Sequence, residues 1–253
     1  MKIYEITFSP TGGTKKVADK LATELSDEII HIDLTNRDED FGKYSLTNDD
    51  TVIIAVPSYS GRVPATAAER ISKIGGNGAK AIIVCVYGNR AYEDTLVELQ
   101  DIVQQAGFTV VSAIAGIAEH SIAHKYATNR PDNDDYAHLR DFAKQIGYKL
   151  SRNDFSTPKI PGDRPYRKAD NAGVVPRARR SCNECGICAA QCPVGAIDMN
   201  NPKKVDKKLC ISCMRCVTQC PHHARKINGV LLAIVNMMLK KACSIRKECE
   251  LYI

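Results

Sequence analysis

Between residues 182 and 221 one cysteine pattern is written twice. Cys182, Cys185, Cys188 and Cys192 are followed by Pro193, and Cys210, Cys213, Cys216 and Cys220 by Pro221. The copies are offset by 28 residues, and the offset also places Gln191 on Gln219 and Ala196 on Ala224, as expected of an internal duplication. This C-x2-C-x2-C-x3-C-P spacing constrains the fold more than any other feature. Three thiolates two residues apart let a short loop wrap one cubic iron-sulfur cluster, while the fourth must come from a more distant segment. Zinc fits poorly, since it usually takes two separated pairs of ligands. Radical enzymes that use S-adenosylmethionine leave one iron open, whereas eight cysteines for two cubes leave none. The pattern therefore points to electron handling.

The module resembles a bacterial-type ferredoxin with two [4Fe-4S] clusters, and the resemblance covers about residues 181–227. In such ferredoxins the fourth cysteine serves the other cluster. That implies one ligand set of Cys182, Cys185, Cys188 and Cys220, and a second of Cys210, Cys213, Cys216 and Cys192. So small a module buries little apolar surface, and its clusters are expected to supply much of its folding free energy. Of the other cysteines, Cys85 lies in the β-branched run 81–86 and reads as a small buried hydrophobe. Cys243 and Cys249 have no ligand spacing and read as incidental thiols.

Charge divides the chain. Residues 1–150 hold 16 Lys and Arg against 21 Asp and Glu, net −5, and residues 151–253 hold 19 against 8, net +11. A basic half raises the question of nucleic acid. A [4Fe-4S]2+ core with four thiolates, however, carries a charge of −2, and two of them offset part of the excess. Neither a nucleic-acid partner nor stable membrane insertion is expected. The longest apolar run, Val230 to Leu239, is broken by Asn236 and falls well short of the roughly 20 residues that cross a bilayer. With no leader-like start and no disulfide framework, the expectation is cytoplasmic.

Before residue 150, strand-like and helix-like runs alternate: 2–8, then 14–25; 28–34; 51–56, then 64–74; 79–87, then 91–106; 108–116, then 134–150. The strand runs are apolar throughout, as in a parallel sheet covered on both faces. In 14–25 the apolar Val17, Ala18, Leu21, Ala22 and Leu25 fall on one helical face. The expected fold class is α/β, a doubly wound parallel sheet with a second, smaller cysteine-rich domain.

The first strand meets its helix through Ser9-Pro10-Thr11-Gly12-Gly13-Thr14, where hydroxyl residues and glycines let backbone N–H groups converge on a phosphate. This is neither the Gly-Lys-Ser/Thr nucleotide loop nor G-x-G-x-x-G, and Gly76 to Ala81, which loosely matches the latter, precedes a strand and reads as a turn. The S-x-T-G-x-T pattern resembles the FMN phosphate loop of flavodoxins. The resemblance implies a 2-1-3-4-5 strand order with the ligand at the carboxyl edge, and Ser9, Thr11, Gly12, Gly13 and Thr14 on the phosphate. The loops after the third and fourth strands offer Ser58, Tyr59, Ser60, Gly61, Gly88, Asn89 and Tyr92 to an isoalloxazine ring. Tyr59 and Tyr92 are the stacking candidates in a chain without Trp. Arg62 and Arg90 are candidate partners of a reduced ring, and His120 a candidate proton donor.

The expected organisation is an FMN-binding domain over 1–152, a Pro-rich extended connector over 153–180, the two-cluster domain over 181–227 and a helical tail over 228–253, which covers the module or docks on the sheet. As a whole the chain resembles the flavodoxin-ferredoxin fusion proteins of anaerobic bacteria and archaea. That resemblance implies low-potential electron transfer between the clusters and FMN, with redox proteins as partners and no catalytic residue. Two alternatives stay open: a flavin-dependent reductase of a small organic acceptor fed by the clusters, and a cluster-based sensor. No nicotinamide fingerprint is visible.

Overall fold

The computed structural model describes residues 2–169 and 173–253. Strand β1 (Lys2–Thr7) leads into α1 (Gly13–Leu25), followed by β2 (Glu28–Asp33), β3 (Thr51–Pro57), α2 (Ala65–Ile71), β4 (Lys80–Tyr87), α3 (Thr95–Gln105), β5 (Thr109–Ile117) and α4 (Asn133–Ser151). The strands pair in the order β2-β1-β3-β4-β5, all parallel. This is the flavodoxin-type doubly wound arrangement expected from the alternating runs.

The uninterrupted apolar strands have a physical cause. Successive strand residues point to opposite faces, and here both faces are covered. Ile53, Ile82 and Val84 pack with Val17, Leu21, Leu139 and Ile146 on the α1/α4 side, while Ile54, Ile83 and Cys85 pack with Ala67, Ile71, Leu99 and Val103 on the α2/α3 side. Cys85 is thus a core residue, as expected. Each buried Ile or Leu contributes about 1.5–3 kcal/mol relative to exposure, so this layer is held by its own side chains. Helix α4 begins with a reciprocal capping box between Asp132 and Asp135, which satisfies two otherwise orphaned donors. The fully buried carboxylate of β1, Glu5, is answered by Lys15 of α1 at 3.3 Å.

The connector differs from free extended chain. Its residues are strapped along the domain: Lys149 Nζ donates to Ser156 O at 2.8 Å, the Asp163 and Arg167 amides donate to Asp94 at 2.9 and 2.7 Å, and Arg164 Nε donates to Asp101 at 2.7 Å. Asp170 to Ala172 of the expected connector lie outside the described residues. Its end forms β6 (Arg177–Ala178), antiparallel to β7 (Arg225–Lys226), so residues read as connector close the cysteine module.

The tail docks on the first domain, and its end is a strand rather than helix. Helix α7 (Gly229–Cys243) rests on Ala123 and Tyr126 through Val235, Leu239 and Cys243, leaving Val230, Ile234, Met237 and Met238 exposed. Beyond it, β8 (Glu250–Tyr252) joins the first sheet antiparallel to β5, Leu251 opposite Ile114. Among the described residues no helix is long and apolar enough to cross a membrane.

Candidate metal centres and cofactor loops

The duplication read from the cysteines is repeated in the backbone. Glu184 and Ser212, 28 residues apart, both take left-handed conformations (φ 61° and 54°), and so do Gly186 and Met214 (φ 78° and 63°). Gly186 and Met214 each open a one-turn helix, α5 (Ile187–Ala190) and α6 (Arg215–Thr218). Each loop turns sharply enough to aim its thiols at one point. The fourth cysteines match as well: Ala196 N donates to Cys192 Sγ and Ala224 N to Cys220 Sγ, each at 3.3 Å. Such bonds favour a thiolate.

Two separate cavities result. One is lined by Cys182, Cys185, Cys188 and Cys220, the other by Cys192, Cys210, Cys213 and Cys216. In each, three cysteines come from one copy and the fourth from the other. Burial pushes the Cys213 and Cys216 thiols up to about 12, so as free thiols they would stay protonated, and a metal must supply the deprotonation. Four sulfurs around each of two apolar cavities fit a pair of cubic clusters. The module's own core is small, built on Ala189, Ala196 and Ile197 beside the cysteines.

At the other end of the molecule, the turn from β1 to α1 brings Ser9 to Thr14 together. Gly12, at φ 90°, is the N-cap and no side chain caps the helix. Ser9 Oγ accepts from Lys15 N at 2.9 Å, and Lys16 N bonds Gly12 O at 3.1 Å. The amides of Thr11, Gly13 and Thr14 meet no acceptor among the described residues. They form an anion cradle of the kind a phosphate ester occupies.

The remaining loops are more engaged than the sequence suggests. Tyr59 and Arg62 exchange both backbone bonds, with Ser60 and Gly61 at positive φ, which makes a two-residue hairpin turn. A Cβ on Gly61 would lie 1.9 Å from Glu93 Oε2. Ser58 Oγ is 2.7 Å from Thr95 Oγ1. Tyr92 turns its hydroxyl to Glu250 and Tyr252, each at 2.7 Å, and its ring lies tilted against Tyr87. Asn89, 4% exposed, donates to Cys243 O and Ile245 O and accepts from Lys247 N. It clamps the tail over Gly88, where a Cβ would strike His120 at 2.7 Å.

Arg62 is held by Glu98 in a bidentate pair with both bonds at 2.7 Å, and Arg90 by Glu93, so neither is an uncommitted cation for a ring. His120 Nδ1 accepts from the amides of Ile122 and Ala123, and burial lowers its pKa to about 4. Near neutral pH it is not a cationic proton donor.

Residues 181–225 match the family model of the 4Fe-4S dicluster domain. The chain joins a flavodoxin-like domain to a 4Fe-4S dicluster domain. No curated protein matches it in sequence. Among solved structures, it is similar to a flavodoxin from the domain Archaea, 11% identical with TM-score 0.42, over 60% of this chain and 99% of that one. It is also similar to the Streptococcus pneumonia TIGR4 flavodoxin, 19% identical with TM-score 0.41, over 58% and 97%. A third is a Fusobacterium nucleatum flavodoxin bound to flavin mononucleotide, 18% identical with TM-score 0.36, over 60% and 95%. The fold assignment of the flavodoxin-like domain rests on the strand order and register given above.

The two domains meet on one side of the dicluster domain. Arg70 donates to Leu34 O and Pro193 O, each at 2.6 Å, Arg37 donates to Ala189 O at 3.4 Å, and Ile211 packs against the α2/α3 core. Tyr59 is raised well above its ordinary pKa by burial and by the nearby Cys213. These contacts fall on the cavity lined by Cys192, Cys210, Cys213 and Cys216. The other cavity faces out, with Cys185, Asn183, Glu184, Pro221 and His222 exposed.

Sequence reasoning passed over Arg225. It is 2% exposed and lines both cavities. The signal was in the repeat: the 28-residue offset puts it on Ile197, a charge where the first copy has a core residue.

Proposed function

We propose that the protein is an electron relay between two [4Fe-4S] clusters and an FMN. One cluster would be held by Cys182, Cys185, Cys188 and Cys220, the other by Cys192, Cys210, Cys213 and Cys216. The observation that carries the relay is the seating of the Cys192, Cys210, Cys213 and Cys216 set on the first domain, where Arg70 bonds Pro193 O and Ile211 packs on the core that Tyr59, on the loop after β3, also joins. One cysteine set thereby abuts a loop expected at a flavin ring, and the other is left open to a redox partner protein.

When bound, the flavin supplies a carrier of one or two electrons and the clusters supply one-electron carriers. The chain's own residues do the positioning. Ser9, Thr11, Gly12, Gly13 and Thr14 offer amides and hydroxyls to the FMN phosphate. Ser58, Tyr59, Ser60, Gly61, Gly88, Asn89 and Tyr92 shape the walls on the ring side, and Arg70 and Arg37 fasten the domains.

Anaerobic purification followed by assay of iron, sulfide and flavin tests the proposal. About eight irons and one FMN per chain are expected. In rapid mixing, reduction of the clusters should be followed by flavin reduction at a rate independent of protein concentration. A concentration-dependent rate would reject intramolecular transfer, and iron without flavin would leave the first domain a docking module.

A further inference from the structure

Burying a guanidinium without a counter-charge is strongly unfavourable. Arg225 is among the largest fully buried side chains and forms no ion pair with a carboxylate among the described residues. Its Nη1 donates to Pro176 O at 3.2 Å and Nη2 donates to Pro202 O, but Nε is buried without an acceptor. Carbonyls satisfy donors and leave the charge uncompensated. Among the described residues, Arg225 is the one that lines both cavities. Pro176 and Pro202, whose carbonyls it bonds, border one cavity each.

We propose that Arg225 is the shared counter-cation of the two clusters and raises the reduction potential of both. This rests on the ligand sets assigned above. A [4Fe-4S]2+ core with four thiolates carries −2 and becomes −3 when it accepts one electron from a donor that loses one. No bond forms and no proton is required. A fixed positive charge in a low-dielectric interior favours the more negative state. The repeat supplies Ile197 in one copy and Arg225 in the other, so a single guanidinium serves two centres.

The test uses the full-length, anaerobically loaded protein, with iron and sulfide assayed before any titration. Reduction potentials are then followed by EPR for the wild type, Arg225→Lys and Arg225→Gln. Glutamine keeps donor capacity but removes the charge. It should lower both midpoints by at least tenfold in the reduction equilibrium, about 59 mV for one electron, while lysine should stay within about threefold of the wild type, because it keeps the charge. Wild-type potentials in an iron-replete glutamine variant would overturn the proposal, as would a lysine variant that falls as far as glutamine. If the glutamine variant does not retain iron, retention by the lysine variant supports the charge role, and loss from both overturns it. A wild-type chain that takes up no iron overturns the ligand assignment and this proposal together.

Discussion

The flavodoxin-like and dicluster domains are built on opposite principles. In the first, Ile53, Ile54, Ile82 and Ile83 are fully buried between two helical layers, so the fold exists before any cofactor arrives. In the second, the core is little more than two alanines and an isoleucine among thiols, and order depends on what the thiols bind. The difference teaches where each half is vulnerable: one to cavities and broken ion pairs, the other to loss of metal.

Iron removal should give the largest effect. Chelation under denaturant-free conditions should unfold the dicluster domain and leave the parallel sheet intact, seen as loss of amide protection confined to about residues 181–225. Loss of protection across β3 and β4 as well would break the comparison. Cys220→Ser should disturb the centre of Cys182, Cys185 and Cys188 although Cys220 lies in the second cysteine run, because it lines the first run's cavity.

Next comes the buried pair Arg130–Asp135, with side chains 4% and 0% exposed, whose arginine also donates to Lys247 O at 2.7 Å. Arg130→Met takes the close cation from buried Asp135, leaving Arg246 at 3.9 Å, and should cost about 3 kcal/mol in chemical denaturation of the first domain, with iron content unchanged. Asn89→Ala strands two carbonyls and one amide of the tail. About 3 kcal/mol of stability should go, with faster hydrogen exchange at residues 243–247 and little change elsewhere.

The smallest effect is set by pH. His120 is held near 4, below the ordinary 6.5, because its charged form is desolvated. The unfolded chain therefore binds the proton first, and stability present above pH 6.5 is lost as pH falls toward 4, roughly 2 kcal/mol of it by pH 5. His120→Asn keeps an acceptor for the Ile122 and Ala123 amides but cannot titrate. Its stability should fall less than the wild type's over this range, in melts read on the first domain. Identical pH profiles would show that another group carries the loss.

What the sequence makes legible follows from how local each signal is. Strands β1, β3, β4 and β5 are apolar runs, α1 repeats every turn, and the cysteine spacing is set by cluster size, so each can be read from neighbouring residues. Strand β8 cannot. It is three residues long, Glu250–Tyr252, and exists only because β5 offers it an edge. The partners of Tyr92 and Asn89 come from more than 150 positions away, and no periodicity announces them. Arg62 reads as an available cation until Glu98 of α3 is brought beside it.

That late edge strand changes what kind of object the dicluster domain is. The chain leaves the first sheet after β5, runs through α4 and the strapped connector, folds the cysteine module and α7, and returns to lie against β5. The module is spliced into its host at both ends rather than hung from one. Two tethers limit how far it can swing, so the spacing between redox centres is a property of construction and not of a diffusive search. Trimming β8 would remove one of the two tethers and leave the contacts of Arg70 and Arg37 to hold the module in place.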